Sequence, residues 1–245
     1  MGAAPCWKRV GAMWLRFKNP APRLPVRGVE LACGVRTRIR PFERADVDRW
    51  IAWPNHSDPL FEAYNPPTLS ARSADLYYQQ RIVSDPKLNY AIDDLQGELV
   101  GRISLREIDW RKSTSRLGIS LHPGRCGQGF GTDALPAFLE YYFIGMSMSS
   151  MVLDVAAHNT RAQRLYENCG FEPFGEHWGP PERDAADLFN RSEFAEIRHL
   201  FRRDAGFVRP LLIDMVLHHD QWRRLQSGES KNSASDRPRR LEPHA

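Results

Sequence analysis

The chain has 245 residues, 42% apolar and 26% charged, with 34 Lys and Arg against 30 Asp and Glu for a formal net charge of +4. Length and composition allow one ordinary globular domain, or at most two small ones, and exclude a disordered or fibrous chain. The charge is uneven: residues 1–40 hold nine basic and one acidic residue, residues 221–245 six and three, and the stretch between them 19 and 26, so an acidic body (net −7) lies between basic ends.

Taken in chain order, the segment to about residue 35 is rich in Pro, Gly and Arg without a sustained period, and is expected to be a flexible basic arm. Met13 offers a second start within it. Lys8, Arg9 and Arg16 interrupt its apolar stretches, so no secretory signal is expected, and Cys6 stands where a myristoylation signal needs Ser or Thr. Arg36–Arg40 alternates as a strand, Asp46–Trp53 has helical spacing stopped by Pro54, and Ala71–Val83 reads as a helix capped by Ser70. Asn89–Asp93, Leu99–Ile108 and Arg116–Leu121 read as an antiparallel meander. A helix over Gly131–Phe143 follows, with Pro136 requiring a late start or a kink. Then come the strand Met151–Ala156, the helix Thr160–Asn168 closed by Gly170, and last strands at Glu172–Gly175 and Leu211–Leu217. The intervening residues 177–209 are charged and helix-prone and read as an insertion, a solvated excursion or a cap over a binding site through Glu182, Asp184, Asp187, Glu193 and Glu196. Residues 221–245 read as a polar, basic tail. The order of elements predicts an α/β fold with a mixed sheet of about seven strands flanked by helices, in one domain over residues 36–220.

Two further classes fall away. No apolar run approaches the roughly 20 residues that a membrane helix needs. Cys6, Cys33, Cys126 and Cys169 share no C-x-x-C spacing, so a zinc knuckle or dense disulfide framework is not readable and a reducing, cytoplasmic setting is expected. His218-His219 lacks further ligands at metal spacing, and no metal is expected.

The most specific segment is Leu121-His122-Pro123-Gly124-Arg125-Cys126-Gly127-Gln128-Gly129-Phe130-Gly131-Thr132. Alternating glycines at 127, 129 and 131, between a strand and a helix, let successive backbone N–H groups converge without a Cβ in the way. At a helix N-terminus such donors bind phosphate, and Arg125 adds a cation. A P-loop would need a lysine after the last glycine, where Thr132-Asp133 stands, and the spacing is not that of a dinucleotide fingerprint.

Further on comes Asn159-Thr160-Arg161-Ala162-Gln163-Arg164-Leu165-Tyr166-Glu167-Asn168-Cys169-Gly170-Phe171. Together the two segments resemble the GNAT superfamily of acetyl-CoA-dependent N-acetyltransferases, particularly its ribosomal-protein-acetylating RimJ/RimL-like branch. The resemblance covers about residues 36–176 plus Leu211–Trp222. It implies a mostly antiparallel mixed sheet, acetyl-CoA as cosubstrate, and direct transfer of acetyl to a primary amine of a small molecule or protein N-terminus. It further implies that Arg125, Cys126, Gly127, Gln128, Gly129, Phe130, Gly131 and Thr132 hold the coenzyme pyrophosphate, that Leu117, Ile119 and Leu121 flank the pantetheine arm, that Asn159 contacts that arm, and that Tyr166 protonates the departing thiolate. Tyr166 is also a natural core residue beside Phe171. Two departures stand out: Cys126 occupies a position commonly Gln or Arg, and Pro136 falls early in the helix after the loop; in addition, Arg116 occupies a position where many relatives carry Glu.

The base therefore stays open. A lysine-like amine has a pKa of ~10.4, so making it neutral at pH 7 costs about 4.6 kcal/mol. Glu107, Asp109 and His122 are the candidates to take its proton, and each is also an ordinary surface residue. Trp50, Trp53, Tyr77 and Tyr78 are expected to pack in the core. No membrane or nucleic-acid partner is expected, while a homodimer is left open. Two rival readings remain: a GNAT-fold module that binds acyl-CoA without turnover, and a ribosome- or RNA-associated protein using its basic ends. The acceptor's identity is not written in the sequence, although an acidic body suits a cationic one.

Overall fold

Alternating burial along β2 (Thr37–Pro41), β4 (Leu99–Asp109) and β6 (Ser150–Ala156) places one row of side chains on each side of a sheet. The computed structural model describes residues 29–182, 190–204 and 206–228. The basic arm before residue 29, the tail beyond 228, and Asp184 and Asp187 lie outside the described residues. The sheet runs β1-β2-β3-β4-β5-β6-β9-β7, with β1 at Ala32–Cys33, β3 at Leu88–Asp94, β5 at Thr114–Leu121, β7 at Glu172–Trp178 and β9 at Phe207–His218. A short β8 (Phe201–Asp204) pairs with the first part of β9. Every pairing is antiparallel except β5 with β6. That parallel pair requires a crossover, which helix α3 (Phe130–Glu140) supplies.

All seven strands expected from the sequence are present, several of them longer. The two additional strands, β1 and β8, are too short for a period to register. β8 and a 3₁₀ segment, Ser192–Leu200, occupy much of the stretch read as a helix-prone insertion.

The main core fills one face of the sheet. Phe130, Leu135, Phe138 and Leu139 of α3 meet Ile103, Leu105, Leu117, Met151 and Leu153, joined by Tyr166 of α4 (Thr160–Asn168) and Trp222 of α5 (His219–Gln226). Each such aliphatic or aromatic side chain removed from water contributes about 1.5–3 kcal/mol. Leu31, Ala32 and Trp222 belong to this core, so the packed body runs past both boundaries drawn from the sequence, 35/36 and 220/221. The opposite face carries α1 (Arg44–Ile51) and α2 (Ala71–Tyr77), whose Val47, Trp50, Ala74 and the following Tyr78 pack on Phe42, Ala91 and Leu99. The early aromatics are thus core residues: Trp53 is buried with them, and Tyr77 lies 5.7 Å from Trp50. A third cluster, Phe194, Phe201 and Val208, packs against Leu60. No helix among the described residues is long and apolar enough to cross a membrane.

Helix α3 begins at Phe130, not late, and holds Pro136 inside it. Two features fix that start. Gly129 adopts φ +86° as the residue before the helix, a conformation easy only for glycine. Asp133, in the first turn, accepts from Val35 N (2.8 Å), Arg36 N (3.0 Å) and Thr37 Oγ1 (2.7 Å), stapling the helix to the β1–β2 turn.

Candidate active site

The parallel pairing of β5 with β6 ends at Leu117 and Leu153. Beyond that point β5 stays with β4, while β6 stays with β9 through Ala156 opposite Leu212. The two strands therefore splay, and among the described residues the edge of β5 facing β6 has no strand partner from Gly118 to Leu121. A cleft of about 620 Å³ fills the wedge and runs on past the glycine loop and the start of α4.

At the outer end of β5 the chain turns through Pro123–Arg125, where His122 Nδ1 accepts from Gly124 N at 3.0 Å. Gly127 (φ +79°) and Gly129 then swing the backbone into α3. The amides of Phe130, Gly131 and Thr132 form the first turn of that helix and have no helical acceptor. Among the described residues, Gly127 and Gly129 N–H find no backbone acceptor. Five donors and the positive end of the helix dipole thus meet at one corner of the cleft, an arrangement suited to a phosphate group. A Cβ on Gly131 would lie 3.2 Å from both Leu121 Cδ1 and Leu165 Cδ2, so the helix start packs closely on β5 and α4 there.

Of the residues expected at the coenzyme, Leu117, Ile119, Leu121, Cys126, Gly127, Gly129, Gly131, Thr132, Asn159 and Tyr166 line the cleft together. The side chains of the other three turn elsewhere. Arg125 lies 6.0 Å over the Phe130 ring, Phe130 is buried in the core, and Gln128 bonds the Gly124 carbonyl (2.8 Å) while its own carbonyl accepts from Arg36 (2.6 Å). Arg161, at the start of α4, is a cation that does line the cleft. Burial pushes the Cys126 thiol up, and Arg161, hydrogen-bonded to it, acts in the opposite direction. Asn159 caps α4 by accepting from Ala162 N (3.2 Å), which sets the helix that carries Tyr166.

Tyr166 is buried, with its ring 5.8 Å from Phe171. Burial, then the charges of Tyr64 and Asp154, raise its hydroxyl well beyond the usual phenol range. It is therefore protonated at any working pH. Tyr64 closes a 3₁₀ turn, Pro59–Tyr64, that also brings Phe61 to the cleft. Its hydroxyl is pushed up to about 12, first by burial and then by the charges of Glu182 and Asp154, against a hydrogen bond from Asn159. His56, also in the cleft, sits 5.8 Å from Phe61 and is lowered from the usual imidazole value by burial and by Arg161, so it is neutral at pH 7.

A row of charges crosses the floor of this half. Arg106 and Arg116 are direct neighbours across β4 and β5, and Asp154 and Asp214 across β6 and β9. Like charges so placed would repel, and diagonal pairing resolves the conflict. Asp154 accepts from Arg106 (2.8 Å) and Arg116 (3.0 Å), and Arg116 also reaches Asp214 (3.2 Å) and Glu107 (2.9 Å). His177 Nδ1 lies 2.7 Å from Asp214. Arg116 is thus the centre of an ion-pair network.

The three base candidates from the sequence lie outside the cleft lining. Glu107 is exposed on Arg116, and Asp109 caps the turn at the far end of β5 by accepting from Arg111 and Lys112 amides at 3.0 Å each. His122 is engaged with Gly124 and packs 5.3 Å from Trp53. The residues the sequence did not single out are His56, Phe61, Tyr64, Asp154 and Arg161. Asp58-Pro59, a cap followed by proline, was the one local signal for the 3₁₀ turn.

A splayed parallel pair beside an amide-lined helix start defines an acyltransferase-type coenzyme cleft. A family model described as an acetyltransferase (GNAT) domain matches residues 36–172, and the chain belongs to that family: it is an acetyl-CoA-dependent N-acetyltransferase. Similar proteins include the spermidine N(1)-acetyltransferases of Vibrio cholerae, 26% identical over 133 residues (54% of this chain, 77% of the relative), and of Escherichia coli K12, 23% identical over 139 residues (57% and 74%). Among solved structures, the Vibrio cholerae spermidine N-acetyltransferase in complex with CoA and spermine superposes with a TM-score of 0.58 at 20% identity, covering 76% of this chain and 98% of that one.

Proposed function

We propose that the chain acetylates a primary amine of an alkyl polyamine by direct attack of that amine on the thioester of acetyl-CoA. The observation that carries this reading is the wedge between β5 and β6, whose amide-lined corner lies at one end and whose half bearing Tyr64, Tyr166 and His56 lies at the other. The amides from Gly127 to Thr132, with Arg161, fit a pyrophosphate; the free edge of β5 from Gly118 to Leu121 fits the pantetheine amides, as an added strand would. The names of the curated relatives point to spermidine as the class of acceptor. The RimJ/RimL-like branch, with protein N-termini as acceptors, rests only on the resemblance of the glycine loop and the Asn159–Phe171 segment taken together.

In this mechanism His56 takes the proton that the amine must lose, since its imidazole is neutral and in the cleft. Tyr166 returns a proton to the departing thiolate. Its raised pKa makes it a reluctant acid against a thiol of ~8.5 in water, but the same burial makes a thiolate in the cleft a stronger base. No protein nucleophile is needed, and Cys126 carries a raised thiol pKa that disfavours the thiolate.

The test is thiol release from acetyl-CoA with spermidine, a peptide N-terminus and no acceptor. Spermidine-dependent release is expected. Coenzyme binding with no release on any amine would favour a binding module, and release only with the peptide would transfer the acceptor to proteins. In the same assay Tyr166→Phe should lower kcat about 100-fold with coenzyme Kd within about twofold; an unchanged kcat would remove Tyr166 from the mechanism.

A further inference from the structure

Arg102, Ser104 and Arg106 alternate along β4, so they share one face of the sheet, and all three line the cleft. Arg106 is taken by Asp154 at 2.8 Å. Arg102 is different. It is half-buried, yet it has no hydrogen bond or ion pair among the described residues. Its guanidinium lies 4.2 Å from the ring centroid of Trp50 in α1 and 5.6 Å from that of Phe42. Aromatic faces hold a guanidinium in place but leave its N–H fork unused. A half-buried cation without a counter-charge gains from an anion that reaches it.

Two hydroxyls flank that cation. Ser120 of β5 stands directly opposite Arg102, and Gly118 directly opposite Ser104. Opposed residues on one face have Cβ atoms about 5 Å apart, so Ser120 lies across from Arg102 and Ser104 next along its strand. Neither hydroxyl has a hydrogen bond among the described residues, and both line the cleft. A Cβ on Gly118 would lie 2.7 Å from Ser104 Oγ, so that hydroxyl leans over bare backbone beside the point where β5 and β6 part. A forked cation with two free hydroxyls on one face is a donor set for a carboxylate. The charged residues lining the cleft agree: Arg102, Arg106, Arg161 and Arg164 are cations, and among the described residues only Asp154 there is an acid. The coenzyme edge of β5 faces β6, whereas β4 lies on the other side of β5. A carboxylate at Arg102 therefore belongs to the acceptor and not to the acyl donor.

We propose that Arg102, Ser104 and Ser120 form a carboxylate subsite, which gives the chain a second class of acceptor: amines that carry a carboxylate a few carbons away. This goes beyond the polyamine reading and does not depend on it; the two share only the coenzyme site. With the coenzyme laid along β5 from the amide corner, its thioester end falls level with Gly118, two residues or about 7 Å from the level of Ser120 and Arg102. An ω-amino acid such as 5-aminopentanoate spans that distance. Its amine forms the N–C bond to the acetyl carbon as the C–S bond breaks. One ammonium and one thioester thus become one amide and one thiol, with one proton released.

The experiment compares 5-aminopentanoate with n-butylamine, its counterpart without the carboxylate, in the full chain with acetyl-CoA. The wild-type kcat/KM should be about tenfold higher for 5-aminopentanoate. Arg102→Gln should cut that ratio about tenfold through KM, or ~1.4 kcal/mol, and Ser120→Ala about threefold. Equal kcat/KM for the two amines in the wild-type chain overturns the subsite. So does an Arg102→Gln chain that loses both amines equally, since Arg102 would then only pack on Trp50. Calorimetry of 5-aminopentanoate with the chain loaded with coenzyme A decides the case in which neither amine is acetylated: binding weakened about tenfold by Arg102→Gln supports the subsite, and no binding overturns it. Spermidine is assayed alongside. Turnover of 5-aminopentanoate without spermidine overturns the polyamine reading and keeps the subsite, and the reverse result overturns the subsite alone.

Discussion

The two halves of the cleft are made of different materials. The coenzyme half comes from one continuous stretch, β5 through α4, and offers mainly backbone: the unpaired edge of Gly118–Leu121 and the amides of Gly127–Thr132. The half proposed for the acceptor is assembled from side chains on segments remote in sequence: His56 and Tyr64, Arg106 and Asp154. Backbone donors do not titrate and cannot be substituted away, so a coenzyme common to a whole family can be held by them. Side chains on separate loops can change one at a time, which is where acceptor choice can differ between relatives.

The sharpest way to break this contrast is a charge in the amide corner. Gly129→Asp places a carboxylate at the start of α3, with its Cβ 3.2 Å from Arg36 Nη1, and strains φ +86°. Two unit charges at 4 Å repel by ~4 kcal/mol at a protein surface, so coenzyme A affinity measured by calorimetry should fall by about 100-fold or more. Gly129→Ala, which adds the strain without the charge, separates the two effects. Wild-type affinity in Gly129→Asp would mean that the corner holds no phosphate.

A smaller effect should rank the two arginines. Arg161 lines the cleft, whereas Arg125 lies over Phe130. Arg161→Ala should weaken coenzyme A binding about tenfold, the scale of a charge-assisted contact, and Arg125→Ala by about twofold or less. The reverse order would return the phosphate cation to Arg125.

The smallest effect concerns pH. Burial lowers the His158 pKa, against the Leu60 carbonyl and Asp58, which raise it. A folded pKa below the unfolded value means stability that is full above the unfolded value of ~6.5 and lost as pH falls through the folded value. One such group changes stability by at most ~1.4 kcal/mol per pH unit. Urea titrations between pH 7 and 5 should show a decline that His158→Gln reduces; an identical decline in the variant would show that the pin between the Leu60 turn and Phe201 does not titrate with folding.

Legibility followed the same division. The glycine loop, the Asn159 helix and the meander were readable because each depends on residues within one short window: alternating apolar positions along β4, or Gly170 at φ +94° closing α4. The acceptor half was not. Nothing near Tyr64 announces that it will line a cleft with Tyr166, and Glu107 looked like a base because the sequence could not show it occupied by Arg116. Similarly, Asp133 is one carboxylate in a helix until the fold brings the amides of Val35 and Arg36 to it. Long-range side-chain partners are decided by topology, which a local pattern does not contain.

β9 has one more consequence, for the order in which the molecule can be made. It borders β6, β7 and β8, carries Asp214 into the charge row and fastens Glu182 through Val208. A chain emerging from the ribosome has the glycine loop and α4 in hand well before residues 207–218 exist, yet β6 then has an open edge and the cleft lacks Leu212 from its lining. The nascent protein thus passes through a stage that holds the coenzyme signature without a finished cleft, and the step that completes the enzyme is the docking of its last strand.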